Sequence, residues 1–224
     1  MALAMLPTGT LLWVAYADMG STTSDAAYTG SVLTVNSTSL FIDIDDSFAK
    51  GYIESFALMG VVMWYGDGYF RPENPITRAE FLAITMNALH ISVSGITDTP
   101  FEDIPTGEGA WILSYAERAR QLGIVYGQTI QGKLKFRPND SITRGEALII
   151  LLNAANISVD TSLKTTVFQD IPAYAEGVLI PYVERARELG IINGQMLWGI
   201  LKFRPNDSIT RAESVKIIMK ASVL

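Results

Sequence analysis

The chain contains no cysteine. Disulfides, thiolate nucleophiles and cysteine-based zinc sites are therefore excluded. Histidine is nearly absent too. The single one, His90, closes an apolar helical run and has no second histidine with which to share a metal. A helix-end or packing role is expected for it, and neither a metal nor a cofactor is called for. Positive charge is not in excess: 17 Lys and Arg stand against 23 Asp and Glu, for a net charge of −6. That balance argues against a nucleic-acid partner, whose phosphates demand a basic surface. Unbroken apolar runs are short as well: the uncharged stretch Ala2 to Ala17 is interrupted by Pro7-Thr8-Gly9. This stretch is too short and broken for a transmembrane helix. Ala15-Tyr16-Ala17 before Asp18 fits the small-x-small end of a secretory signal over residues 1–17, although no Lys or Arg precedes it. An ordinary apolar strand, or a piece of a longer protein, is the other reading. Residues 18–40, rich in Ser, Thr, Gly and Ala with a strand-like Ser31-Val32-Leu33-Thr34-Val35, complete an N-terminal arm over 1–40.

What the chain does have is one phrase written three times. It reads Phe70-Arg71-Pro72-Glu73-Asn74-Pro75-Ile76-Thr77-Arg78-Ala79-Glu80, and returns from Phe136 to Glu146 and from Phe203 to Glu213. The Thr-Arg pair recurs after 66 residues (Arg78 to Arg144) and after 67 (Arg144 to Arg211). A fixed period means one supersecondary unit made three times. Three units can close into a ring, and a site on one would then recur on the others. With 49% apolar residues the chain can bury a core.

Each unit reads as helix, loop, helix. In the first helix Tyr52, Phe56 and Met59 recur at helical spacing, as do Tyr115, Ala119 and Leu122, and Tyr182, Ala186 and Leu189. The pairs Glu117–Arg120 and Glu184–Arg187 are expected on the solvated face. Gly60, Gly123 and Gly190 fit left-handed C-terminal caps. In the second and third units the loop before the phrase is three residues longer and lacks the Gly66-Asp67-Gly68 turn, so short hairpins are expected there. Thr77 with Glu80, Thr143 with Glu146 and Thr210 with Glu213 are capping boxes that start the second helix. Those glutamates are thereby accounted for without catalysis, and no unique carboxylate pair remains to support a glycan hydrolase. The second helices are apolar nearly all round, as in Ala147-Leu148-Ile149-Ile150-Leu151-Leu152, which implies burial on most sides.

Arg78, Arg144 and Arg211 stand at the first helical position, where a cation opposes the helix dipole. A residue set against local preference three times has another use. It is a fork for a carboxylate or phosphate ligand, a salt bridge to Asp43, Asp103 or Asp170 in its own or a neighbouring repeat, or each in turn. Arg71, Arg137 and Arg204, each before a proline, are read as fixing the loop.

These features together resemble the S-layer homology family. Its pattern opens with Phe-x-Asp-Ile, found here as Phe41-Ile42-Asp43-Ile44, Phe101-Glu102-Asp103-Ile104 and Phe168-Gln169-Asp170-Ile171, and continues through a Leu-Gly-Ile helix end to Ile-Thr-Arg-Ala-Glu. The likeness covers residues 41–224, divided as 41–95, 96–160 and 161–224. It implies a mainly α fold: three helix-loop-helix repeats in a pseudo-threefold, three-pronged spindle around a central three-helix bundle. It also implies non-covalent anchoring at a bacterial cell surface or wall, with no enzymatic activity. The implied partner is a cell-wall polysaccharide or peptidoglycan-linked polymer whose terminal sugar can carry a pyruvate ketal, held in the grooves between prongs. Surface-layer proteins are the other partner class, and a surface-layer assembly module that binds no sugar is the competing reading.

Carried over by position, the implied glycan contacts are Arg78, Arg144 and Arg211, the aspartates Asp43, Asp103 and Asp170, the aromatics Phe48 and Trp111, and the glycines Gly66, Gly127 and Gly194. In the third unit Val178 replaces the aromatic, so Arg78 and Arg144 are favoured over Arg211. Trp64, Tyr65 and Trp198 are loop aromatics that can substitute, buried packing being the equal alternative for each. Gly145 stands where alanine is usual.

Overall fold

Every copy of the phrase ends in a helix whose start is fixed by its own side chains. The Thr77, Thr143 and Thr210 hydroxyls accept from the backbone N–H groups of Glu80, Glu146 and Glu213, while each glutamate reaches back to the threonine N–H. All three capping boxes are formed. The computed structural model describes residues 40–62, 66–105 and 110–224. The expected signal and arm, and the candidate aromatics Trp64 and Tyr65, lie outside the described residues.

In chain order the elements are α1 (Lys50–Leu58), α2 (Arg78–Ala88), α3 (Leu113–Gln121), the hairpin β1 (Gln128–Ile130) and β2 (Lys133–Lys135), α4 (Arg144–Ala154), α5 (Glu176–Glu188), the hairpin β3 (Gln195–Leu197) and β4 (Ile200–Lys202), and α6 (Arg211–Ser222). The protein is mainly helical, and the two hairpins fall where the longer loops predict them. Gln131-Gly132 and Trp198-Gly199 turn them, all four at positive φ, the primed turn that matches strand twist.

The first helices end as expected. Gly60 has φ 70°, its N–H bonds the Ala57 carbonyl, and the Val61 N–H reaches Phe56, closing a Schellman motif that Gly123 and Gly190 repeat. At the end of α2 the same role falls to His90, exposed at φ 53°. The lone histidine is thus a helix terminator.

Helices α2, α4 and α6 each contact the other two. Their apolar circumference explains this: eight residues of α2, from Arg78 to Met86, are buried. The first helices pack outside their own copy, α3 on α2, α5 on α4 and α1 on α6. The first helix of the chain therefore sits on the last. In the expected stripe Phe56, Ala119 and Ala186 are buried, but Met59 and Leu122 are 66% and 54% exposed, because they are the C-cap residues at which the helix already turns away.

The opening phenylalanines pack on the phenylalanine of their own copy's phrase: Phe41 on Phe70, Phe101 on Phe136, Phe168 on Phe203, with ring centroids 5.3–5.9 Å apart. All six are buried. Such a pair contributes about 0.5–1.5 kcal/mol beyond the area it removes from water.

Candidate functional site

Three isoleucines close a cycle of backbone hydrogen bonds. The Ile76 N–H donates to the Ile209 carbonyl, Ile209 to Ile142, and Ile142 to Ile76, each at 3.1 Å. Around this cycle the first N–H groups of each second helix also find partners in another copy. Arg78 and Ala79 donate to the carbonyls of Asp140 and Pro138, Arg144 and Gly145 to Asp207 and Pro205, and Arg211 and Ala212 to Asn74 and Pro72. The helix-start donors are thus occupied by protein carbonyls, not left open for an anion.

The phrase arginines follow the same cycle. Arg78 Nε donates to the Phe136 carbonyl at 3.0 Å and its Nη1 pairs with Glu146 at 3.0 Å. Arg144 does the same with Phe203 and Glu213, and Arg211 with Phe70 and Glu80. Each guanidinium also lies over the phenylalanine ring of the copy it reaches, 4.7–5.6 Å from the centroid. The side chains are 11%, 18% and 5% exposed for Arg78, Arg144 and Arg211. Burial pulls the Arg78 guanidinium below the usual arginine range, against the pull of Glu146. The salt-bridge expectation is corrected in its partner: the arginines meet the capping glutamates of another copy, not Asp43, Asp103 or Asp170.

Those aspartates have a different task. Asp43 accepts from the N–H groups of Phe70 and Arg71 at 2.8 and 2.7 Å, one on each carboxylate oxygen. Asp103 does so for Phe136 and Arg137, and Asp170 for Phe203 and Arg204. The clamped residues Arg71, Arg137 and Arg204 take φ 59°, 64° and 61°. An arginine in that region is strained, and the two charge-assisted bonds hold it there. The same side chains turn back onto the loop, Arg71 to Asp67, Arg137 to Asp140 and Gln128, and Arg204 to Asp207 and Gln195. Sequence reasoning missed the clamp. Its signal was present, because the Asp and the Arg-Pro step recur together in all three copies.

The glycines divide. A Cβ on Gly127 would lie 2.5 Å from the Phe101 ring and 2.9 Å from the Lys135 carbonyl, and on Gly194 2.3 Å from Phe168 and 3.0 Å from Lys202. These two are required by packing. Gly66, at φ 89°, has open space where a Cβ would stand.

Three equivalent positions at the start of the first helices face outward: Phe48, Trp111 and Val178 are 57%, 54% and 61% exposed. The helix pairing sets Phe48 with α6, Trp111 with α2 and Val178 with α4. Trp111 also meets Tyr115 edge-on at 6.4 Å, and the Tyr115 hydroxyl donates to Asn87 of α2. The Lys216 ammonium of α6 lies 5.3 Å from the Phe48 ring. Ala83 and Ile149 stand at the place of Lys216 in α2 and α4. Lys216 has no ion pair among the described residues.

Glu117 and Glu184 correct another expectation. They are 5% and 7% exposed rather than solvated. Glu117 accepts two bonds from Arg120 and others from Gln121 and Thr99, and Glu184 is held by Arg187, Thr166 and the Val167 N–H. Each ties its first helix to the chain just before the opening phenylalanine. Among the described residues there is no cluster of three or more His, Asp or Glu able to hold a metal, and no helix long and apolar enough to cross a membrane.

The sequence profile of the S-layer homology domain matches residues 41–82 and 100–148. An amylopullulanase of Thermoanaerobacterium thermosulfurigenes is 32% identical over 208 residues, 90% of this chain and 10% of that protein. A surface-layer 125 kDa protein of Lysinibacillus sphaericus is 30% identical over 74% of this chain and 13% of its own length. A cellulosome-anchoring protein of Acetivibrio thermocellus is 31% identical over 70% of this chain and 34% of its own. The chain thus spans a minor part of each relative, in proteins of otherwise different kinds.

Proposed function

The chain belongs to the S-layer homology domain family, and from that premise we propose that it is a non-catalytic anchor that holds attached protein at a bacterial cell surface by binding a cell-wall polysaccharide. The observation that carries this is the recurrence of one segment in relatives named for different tasks, an amylopullulanase, a surface-layer protein and a cellulosome-anchoring protein. A part shared by such proteins serves what they have in common, which is location. The repeated glutamates are engaged as caps and ring partners, which leaves them no catalytic part.

The closed cycle of isoleucine bonds and the mutual contacts of α2, α4 and α6 support a pseudo-threefold, three-pronged spindle, with units over 41–95, 96–160 and 161–224. In that arrangement the grooves lie where a first helix meets the second helix of another copy. Two of them carry an exposed aromatic for a sugar ring, Trp111 beside α2 and Phe48 beside α6, and the latter adds Lys216, a cation with no ion pair among the described residues. An acidic sugar, such as one bearing a pyruvate ketal, satisfies both. In this reading Arg78 and Arg144, with side chains 11% and 18% exposed, border the grooves, and Asp43, Asp103 and Asp170 shape the loops around them.

A second reading is favoured by the burial of the phrase arginines: a module that assembles with surface-layer proteins and binds no sugar. Co-sedimentation with purified cell walls, before and after removal of pyruvate, separates the two. Binding that falls about tenfold or more in Phe48→Ala, Trp111→Ala or Lys216→Gln, with melting unchanged, supports the groove. Binding indifferent to all three and to pyruvate removal leaves the assembly reading.

A further inference from the structure

The third copy differs from the other two at the tip of its hairpin. Trp198 occupies the first turn position between β3 and β4 at φ 49°, a left-handed conformation that favours Gly, Asn or Asp. It is 89% exposed, more than any other large apolar residue among those described. In the hairpin β1–β2 the equivalent residue is Gln131, at φ 52°. The chain thus builds the same turn with a polar side chain, so nothing in the fold asks for tryptophan. A bulky aromatic held in a strained backbone and offered to water is a mark of a binding position.

Its surroundings indicate the ligand chemistry. The Lys202 ammonium lies 5.6 Å from the Trp198 ring and has no ion pair among the described residues. Beside it opens a cavity of about 330 Å³ lined by Asp170, Leu197, Lys202, Arg204, Pro205, Asn206 and Asp207. The charges of that lining are otherwise committed. Both Asp170 oxygens accept backbone N–H groups, and Arg204 pairs with Asp207 and donates to Gln195. Lys202 is the lining cation left to a ligand. At the rim Tyr174, 80% exposed, donates its hydroxyl to Asn206 at 3.2 Å.

We propose that Trp198, Lys202 and Tyr174 form a second saccharide-binding site at the hairpin of the third copy, apart from the helix grooves and specific for a sugar with an anionic substituent. The sugar ring stacks on the indole face, the carboxylate or phosphate meets Lys202, and hydroxyls enter the polar cavity. A polar, cation-bearing cavity next to the ring fits a polyhydroxylated ligand better than an apolar protein surface. The proposal rests on the reading that the chain binds wall polysaccharide, and makes the third copy, whose groove lacks an aromatic, a contributor by another route. Two contact points on one polymer raise its avidity.

The test is calorimetric titration of the whole chain with purified wall-polysaccharide fragments, with acidic substituents intact or removed. Trp198→Gln copies the residue of the other hairpin and is expected to keep the melting temperature while weakening affinity about tenfold. Lys202→Gln is expected to weaken binding of the acidic fragments only. Gln131→Trp, which has Lys135 where Trp198 has Lys202, is expected to add affinity. If the parent binds the fragments and Trp198→Gln binds them equally, the site is overturned and the groove reading stands. If the parent binds no fragment, both fall. If Trp198→Gln alters self-association in sedimentation but not glycan affinity, the ring is a protein contact and the proposal is overturned.

Discussion

Arg144 Nη1 lies 2.7 Å from Glu213 Oε1, and the other oxygen of that carboxylate takes the Thr210 N–H at the start of the same helix as Glu213. One glutamate therefore caps its own helix and locks the helix of another copy. Because Arg78 meets Glu146 and Arg211 meets Glu80 in the same way, the three bridges close a loop through the whole repeat set.

Removing one arginine opens that loop. Arg144→Ala is expected to destabilise the fold by about 1.5–3 kcal/mol, the range for a lost charged hydrogen bond, since its side chain and that of Glu213 are only 18% and 32% exposed. Arg144→Lys is expected to recover part of this, keeping charge without the fork. Urea unfolding of Arg144→Ala, Glu213→Gln and the double variant measures the coupling. An Arg144→Ala midpoint equal to the parent's would remove the structural role and return the arginine to a ligand.

Glu117 gives a pH dependence with a definite sign. The hydrogen bonds of Arg120 chiefly, with Gln121 and Thr99, hold its carboxyl below the usual glutamate range despite burial. A carboxyl depressed in the folded state adds stability above its unfolded value, about 4.3–4.5, and loses it as pH falls through the lower folded value. Parent stability is therefore expected to fall on acidification below that point, and Glu117→Gln to show a shallower fall while starting from a lower level. Parallel curves for the two proteins between pH 6 and pH 3 would contradict this.

What was legible in the sequence was what is local. The capping boxes need only Thr and Glu three apart, and the hairpins follow from loop length with Gly in the turn. What was not legible depends on the order in which copies touch. The partner of Arg144 is 69 residues away in Glu213, and α1 lies on α6 at the far end of the chain. Helical spacing places Glu117 beside Arg120, as on a solvated face, whereas it is 5% exposed and accepts a hydrogen bond from Thr99, 18 residues upstream. Among the site candidates the sequence marked residues that matter, but the structure gives Asp103 and Gly127 to loop geometry, and it placed Lys216 beside Phe48, a juxtaposition no motif carried.

Gly127 and Gly132 separate two reasons for glycine. Both have positive φ, 72° and 76°, but only Gly127 faces a ring and a carbonyl. Gly132→Ala is expected to cost about 1 kcal/mol, the left-handed penalty for an added Cβ. Gly127→Ala adds overpacking of about 1–3 kcal/mol on top of that. Equal thermal shifts in the two variants would show that the hairpin yields and Phe101 is not wedged.

Thr143→Ala removes the hydroxyl that caps α4, at an expected cost of about 1 kcal/mol. Thr143→Ser keeps the oxygen and is expected to stay near the parent. Chemical denaturation distinguishes them, and two equal midpoints would mean that Glu146 alone holds the helix start.

Asp103 decides between two roles for a residue that sequence similarity assigns to the glycan. Its two oxygens hold the N–H groups of Phe136 and Arg137 at 2.8 and 2.7 Å. In Asp103→Asn one oxygen remains, and the amide NH2 faces a backbone donor, so at least one partly buried N–H is left unpaired. A loss of about 1–3 kcal/mol is expected, with amide exchange at Arg137 accelerated well beyond the change in global stability, because that residue sits at φ 64° and is kept there by the clamp. Wall binding is expected to fall only as far as the loop is loosened, and lowering the temperature is expected to restore it. A variant with parental stability and parental Arg137 exchange but no wall binding would instead make the carboxylate a direct contact of the sugar.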